Sequence, residues 1–412
     1  MSQHEARPGL VTALCATLQG IGGGLGWSLL PPLMATIAAE LSISHTMGGF
    51  VWGSASLGIV IGAPVGGALV DRFGPRRVAG IATLFGALLC AGRALCHDPY
   101  SLLALMFLFG IHVGIVAPAV PKALAGHVAP QHLGRATGLA LFAYTLVTAV
   151  AMLTARTVLV PLMGGWRPVM VAAGALMAVV GVLFLALVKD RTAPSRHAAL
   201  REMVALCKDG QLMRGAIMYF LLFGGYLALF GLMPRALGEA GLAPTSVGIA
   251  VAGWLAGAGL ANFLGPWLSD RVGLRRPFMI GGALVAGAGY GAFALLGANA
   301  GSAGFALLLL AAVGGGCFAP LLLALPLELP SVGIARAGAA LGLLNLVGQV
   351  GGFILSVTGG AIVGRAGLAA AMGLMALVHL AIVVPARGLQ ETGHARKAGA
   401  TTKDQSPVSL AA

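Results

Sequence analysis

The sequence has 412 residues, 58% of them hydrophobic and 9% charged, with a mean hydropathy of +0.94. Water-facing surfaces must be mostly polar, so this composition excludes a soluble globular protein. A net charge of +13 would suit a nucleic-acid partner in a soluble chain, but here the distribution of the basic residues gives it a topological origin.

Apolar runs long enough to cross a hydrocarbon core of roughly 30 Å recur from end to end. They predict an all-α polytopic membrane protein with twelve spans. The first six lie at 9–38, 45–70, 78–96, 99–125, 135–162 and 168–188. The others lie at 213–235, 244–269, 277–296, 302–329, 337–362 and 366–387. The first run is full length and lacks a cleavage site, so it reads as a helix that is kept and not as a leader. The 64 glycines suit close helix packing in lipid.

Residues 1–8 form a short N-terminal segment, 9–188 one six-helix bundle, 189–212 a linker, 213–388 a second bundle, and 389–412 a polar, disordered tail. Within the linker, 198–207 reads as a short amphipathic helix. If the N-terminus is cytoplasmic, twenty of the 25 Lys and Arg fall on that side, against Arg167, Arg235 and Arg365 on the other. The positive-inside rule therefore places both termini in the cytoplasm. The five cysteines show no CxxC spacing and read as buried free thiols. No metal cluster, nucleotide loop or nucleophile–base set appears, so no cofactor and no enzymatic activity are expected.

The two halves repeat. Asp71 and Asp270 are 199 residues apart, each in D-R-x-G-x-R-R. GIVAP (114–118) answers GCFAP (316–320) at an offset of 202, and RATGL (135–139) answers AALGL (339–343) at 204. Matching offsets in matching places point to parallel six-helix repeats.

The twelve-span plan, the central linker and GALVDRFGPRR after the second span resemble the major facilitator superfamily of transporters. Gly67, Leu69, Asp71, Arg72, Gly74, Arg76 and Arg77 match the family's loop signature. In the second copy Pro266 replaces the glycine, while Asp270, Arg271, Gly273, Arg275 and Arg276 hold. Topology alone accounts for the arginines but not for the acid or the glycines. Gly74 suits a turn with positive φ, and Gly67 a close helix approach. The resemblance implies that Asp71 and Asp270 latch rocking bundles, Asp71 lying against the N-terminus of the eleventh helix when the inside is closed.

The family's cavity is lined by spans 1, 2, 4, 5, 7, 8, 10 and 11, and ionisable or polar groups there are candidate substrate contacts. His112, at mid-span, reads as a proton switch or anion donor, or as a neutral histidine bonded to a neighbouring helix. Arg156 reads as an anion contact or an interface anchor, and Arg93 as a side chain snorkelling to the surface. Lys122 and Glu328 read as gate charges or interface anchors. Gln19 and Ser28 on span 1, Tyr144, Thr145 and Thr148 on span 5, Tyr226 on span 7 and Asn262 on span 8 complete the polar set, with Asn345 and Gln349 sharing a face of span 11. Interhelical bonding, at about 0.6 kcal/mol each, is the structural alternative. His379 is set aside because the family places span 12 outside the cavity.

Met106 stands where many members have an arginine, and span 1 lacks the acid of many proton-coupled members, since Glu40 is at its end. Span 5 lacks the Gly-Pro signature of drug/proton antiporters. GGWRP (164–168), LELPSVG (327–333) and the Asn-containing span 11 are similar to cyanate and nitrate branches, although the deep arginines of the nitrate branch are missing. The expected function is secondary transport of a small solute, an organic or inorganic anion foremost, by a monomer in the bacterial inner membrane. The partners are then the substrate, a coupling ion and the lipid bilayer, with no nucleic acid. Proton-coupled efflux of a hydrophobic compound and a transporter-like sensor or scaffold are the alternatives.

Overall fold

The computed structural model describes residues 3–189, 200–297 and 301–393, and among them every regular element is helical. Backbone N–H and C=O groups find no partners in hydrocarbon, so an apolar chain satisfies them within helices. The first half contains α1 (Gln3–Ser28), α2 (Leu30–Glu40), α3 (His45–Phe73), α4 (Pro75–Gly92), α5 (Pro99–His127), α6 (Pro130–Thr154), α7 (Val160–Met163) and α8 (Trp166–Leu187). After α9 (Leu200–Leu206), the second half contains α10 (Gly210–Glu239), α11 (Pro244–Val272), α12 (Arg276–Leu296), α13 (Ser302–Glu328), α14 (Gly333–Ala381) and α15 (Val383–Arg387).

Eleven helical segments are long and apolar enough to cross a membrane. Two expected spans are joined in one of them: α14 covers both and is broken by Gly367, whose φ of 78° is non-helical. The first expected span is divided instead. Its helix turns at Leu29, where the following Pro31 and Pro32 have no N–H to continue the ladder. The expected linker helix is present as α9, while 190–199 of the linker and 394–412 of the tail lie outside the described residues. The start of the expected tail is ordered instead: Leu389 is buried, and Glu391 accepts bonds from the backbone N–H groups of Arg275 (2.6 Å) and Arg276 (3.1 Å). That carboxylate caps the start of α12, where unpaired N–H groups favour an anion.

Helix association in lipid gains little from hydrophobicity, so small residues decide which helices touch. α3 and α5 meet where Gly110 presses on the backbone of Ala55 and Gly114 on that of Gly62 and Ala63. In the second half α11 and α13 repeat the contact, with Gly316 against Ala258 and Gly265 against Cys317. Gly114 and Gly316 are the glycines matched in the sequence repeat. The loop glycines match as well: Gly74 closes α3 at φ 82° and Gly273 closes α11 at φ 75°, as positive-φ turns require.

α3 and α14 run antiparallel, with Gly360 beside His45 and Gly53 beside Phe353. The α3–α4 and α11–α12 loops therefore share one end of the molecule, called the basic end here, and His45 marks the far end. Replacing Gly110 by Leu drives a side chain into the α3 backbone and should cost on the order of 1–3 kcal/mol or more, read as a lower melting temperature in detergent. Gly253→Leu, where nothing stands within 4 Å, should leave the melting temperature within a few degrees of the parent.

Candidate functional site

The halves meet most tightly toward the far end. Trp52 of α3 lies between Trp27 of α1 (centroids 4.8 Å apart) and Phe230 of α10 (5.6 Å). Its indole N–H donates across the boundary to the Leu227 carbonyl at 2.8 Å, and Gly231 leaves room for the ring. Beyond it, Arg235 Nε bonds Glu239 (2.7 Å), Arg235 Nη1 donates to the Ile43 carbonyl (3.0 Å), and His45 Nε2 lies 2.6 Å from Glu239. α6 and α11 complete the seam, with Met152 and Leu153 against Gly248. The far end is sealed by aromatic packing and polar bonds between the halves.

Below this seam lies a cavity of about 270 Å³. Its aromatic wall is built by α10 and α11: Tyr219 stacks on Phe223 (5.2 Å, 6°) and Tyr226 on Trp254 (5.2 Å, 15°). The spacing 219, 223, 226 puts three rings on one face of α10. The small-residue face of α13 also lines it, with Ala312, Gly315, Gly316 and Ala319. Thr145 comes from the first half, Asn262 from α11, and Tyr290 with His379 form the rear. There Trp254 Nε1 donates to the Tyr290 hydroxyl at 2.9 Å, and the Tyr290 and His379 rings are 5.0 Å apart.

Of the expected substrate residues, Tyr226 and Asn262 line this cavity, together with Thr145. The others do not. Gln19 donates to Thr83 of α4 at 2.5 Å, and His112 lies against Gly86 of α4 and bonds the backbone of Ala82. Both face the interior of the first bundle, so for His112 the interhelical reading holds. Ser28 and Thr148 bond each other at 2.8 Å, joining α1 to α6. Tyr144 packs beside Gly24 of α1. Arg156, on a π-turn (Ala155–Leu159), sits in the far-end seam with Pro32, Pro234 and Pro244. Asn345 is exposed and Gln349 is buried on α14; neither is among the cavity's lining residues.

Arg93 corrects a second expectation. It is fully buried and does not snorkel: its Nη1 donates to the Gly26 carbonyl at 2.7 Å, and its guanidinium lies 4.2 Å from the centre of the Phe109 ring. Gly26 lies near the C-terminal end of α1, where a cation is favoured by the helix dipole. His379, set aside on the family's plan, belongs to the cavity wall. Sequence reasoning also missed Tyr219, Trp254 and Tyr290. The signal available was the aromatic spacing on α10, since three of only five tyrosines in the chain converge here.

At the basic end several of the signature charges have partners in their own half. Asp71 bonds Lys122, and Arg76 donates to the Leu185 carbonyl at 2.6 Å. Gly67 is buried, and exposed Arg72 lies over the Phe73 ring as Arg271 lies over Trp267. Arg275 bridges Asp270 (2.5 Å) and Glu328 (3.0 Å) and reaches Ser269 (3.1 Å). Burial works against this charge, but the two carboxylates outweigh it and hold the guanidinium pKa above its usual value. Lys122 and Glu328 thus occupy equivalent places with opposite signs.

The family profile of the Major Facilitator Superfamily matches residues 16–243 and 215–411. The chain belongs to this superfamily. It is 28% identical over 255 residues to the probable nitrate/nitrite transporter NarK2 of Mycobacterium tuberculosis, which covers 60% of this chain and 64% of that protein. This relative agrees with the likeness to nitrate branches in the sequence. The fold matches the nucleoside transporter NupG with a TM-score of 0.75 at 15% identity, over 92% of this chain and 98% of that one. The inward-open xylose transporter XylE of E. coli matches with a TM-score of 0.71 at 18% identity, over 92% and 96%. Together with the apolar helices, the family makes this an integral, multi-pass membrane protein.

Removing Arg275 leaves Glu328 partly buried beside Asp270 without its cation. Arg275→Met should lower stability by roughly 3–5 kcal/mol, and Glu328→Gln in the same chain should restore part of it. Denaturation of the single and double variants in detergent measures the difference.

Proposed function

We propose that this protein is a secondary transporter that carries a small organic solute across the bacterial inner membrane by alternating access. The observation that carries the reading is the cavity of the second half, which Thr145 of the first half also lines, beside the Trp52 seam that joins the two repeated halves. In this reading twelve crossings, with bundles at 9–188 and 213–388, leave both termini on one side, and the bias of basic residues makes that side the cytoplasm, so the basic end is cytoplasmic and the cavity faces inward. The protein binds and releases its solute without catalytic chemistry.

The nitrate/nitrite relative supports an anion. Against an inorganic one stands the cavity itself: its described lining residues include aromatic rings, the hydroxyls of Thr145 and three tyrosines, an amide and the His379 imidazole, but no lysine or arginine. A small bare anion is costly to strip of water without charged donors. The geometry therefore favours an organic solute.

Asp71, with Gly67, Arg72, Gly74 and Arg76, acts as the cytoplasmic latch. Facing inward, it rests on Lys122; when the inside closes it moves to the N-terminal end of α14, where free N–H groups stabilise a carboxylate. Asp270, Arg271 and Gly273 do the same in the other half. Asp71→Asn should cut uptake into proteoliposomes at least tenfold while insertion and yield stay normal. Wild-type rates in that variant would remove the latch. A solute screen with and without a pH gradient tests transport itself, and failure of every solute under every gradient would favour a sensor.

A further inference from the structure

We infer that the solute is a planar, uncharged heterocycle of one or two rings that carries a donor and an acceptor side by side on one edge; this rests on the transporter reading above. Three features of the cavity converge on that class. The first is shape. The stacked rings of α10 and α11 line the cavity together with the Ala/Gly surface of α13, which leaves a slot walled by aromatic rings and small residues. Aromatic rings beside a surface of small residues hold another ring by stacking, edge contacts and dispersion, and grip a puckered sugar less well.

The second is the absence of a side chain at Gly315. A Cβ there would lie 3.6 Å from Leu222 and 3.9 Å from His379 Nε2, an ordinary van der Waals distance. Helix packing does not demand glycine at this position, in contrast to Gly316 one residue on, which presses on the α11 backbone. What a larger residue at 315 would fill is the slot.

The third is the polar rear wall. His379 Nδ1 lies 2.8 Å from the Met375 carbonyl and so must donate to it. That leaves Nε2, on the Gly315 side, as an acceptor. Tyr290 accepts from Trp254 through its oxygen and keeps its own O–H hydrogen to give. An acceptor and a donor carried on adjacent rings match a heterocycle edge with N–H next to C=O or a ring nitrogen. Asn262 and Thr145 remain for groups on the opposite edge.

The experiment is equilibrium binding of four labelled probes to the purified full-length protein: hypoxanthine, benzoate, D-xylose and nitrate. Hypoxanthine should bind best, and its affinity should fall at least tenfold in Gly315→Leu and Trp254→Leu. His379→Ala should lose hypoxanthine more than benzoate, because benzoate lacks the paired edge. Gly315→Ala, which fits the available space, should keep the melting temperature and lose less affinity, so a misfolded Trp254→Leu does not leave the slot untested. Hypoxanthine binding indifferent to Gly315→Leu would overturn the proposal, as would slot-dependent binding of xylose or nitrate, or no binding of any ring. Parallel flux assays separate the two readings. Slot-dependent ring binding without flux under any gradient sinks transport and keeps the ligand class; flux of nitrate or xylose alone does the reverse.

Discussion

The indole of Trp52 lies across the boundary between the two halves, and the closure of the far end follows from that placement. Its N–H satisfies the Leu227 carbonyl, its faces meet Trp27 and Phe230, and Gly231 gives way beneath it. A lone interhelical hydrogen bond in a membrane contributes only about 0.6 kcal/mol, so the bond sets the register while the ring contacts supply most of the attraction. With this seam closed, the Tyr226–Trp254 stack below it is shut off from the far end. The same rings that line the solute slot are continuous with the gate through the contact of Tyr226 and Phe230, whose centroids are 6.0 Å apart. A solute stacked on Tyr226 would therefore bear directly on a ring that holds the seam.

The two halves keep equivalent machinery with altered chemistry. Asp71 answers a lysine on α5, whereas Asp270 reaches Glu328 on α13 only through Arg275. The second arrangement is also tied to the segment after α15, since Glu391 caps α12 and Thr392 donates to Glu328 at 2.5 Å.

The sequence made the helices, the charge bias and the repeat plain, because the bilayer enforces them locally: long apolar runs, basic loops, glycines where backbones touch. It was silent on which way a polar group points. A helix apolar all round has no face marked by polarity, so Gln19 and His112 looked like cavity residues although they join helices inside one bundle. Arg93 misled for a related reason. Its position near the end of an expected span suggested water, but a short turn folds it back over Phe109 toward the broken end of α1. His379 was lost to an analogy about span 12, which its contact with Tyr290 overrides. The aromatic wall was legible in part, as the spacing of Tyr219, Phe223 and Tyr226, yet the small residues of α13 that share the cavity with it needed the three-dimensional packing.

The central claim is that the slot opens toward the basic end, proposed to be cytoplasmic, while the Trp52 seam closes the other. Asn262 lines the slot and is exposed, so it can report this directly as Asn262→Cys in a chain whose exposed Cys207 is replaced by Ser. A membrane-impermeant maleimide should label it readily in inside-out vesicles and at least tenfold more slowly in right-side-out vesicles, with Trp52→Ala narrowing that gap. Equal labelling from both faces, or faster labelling from the far face in the otherwise native chain, would contradict the account.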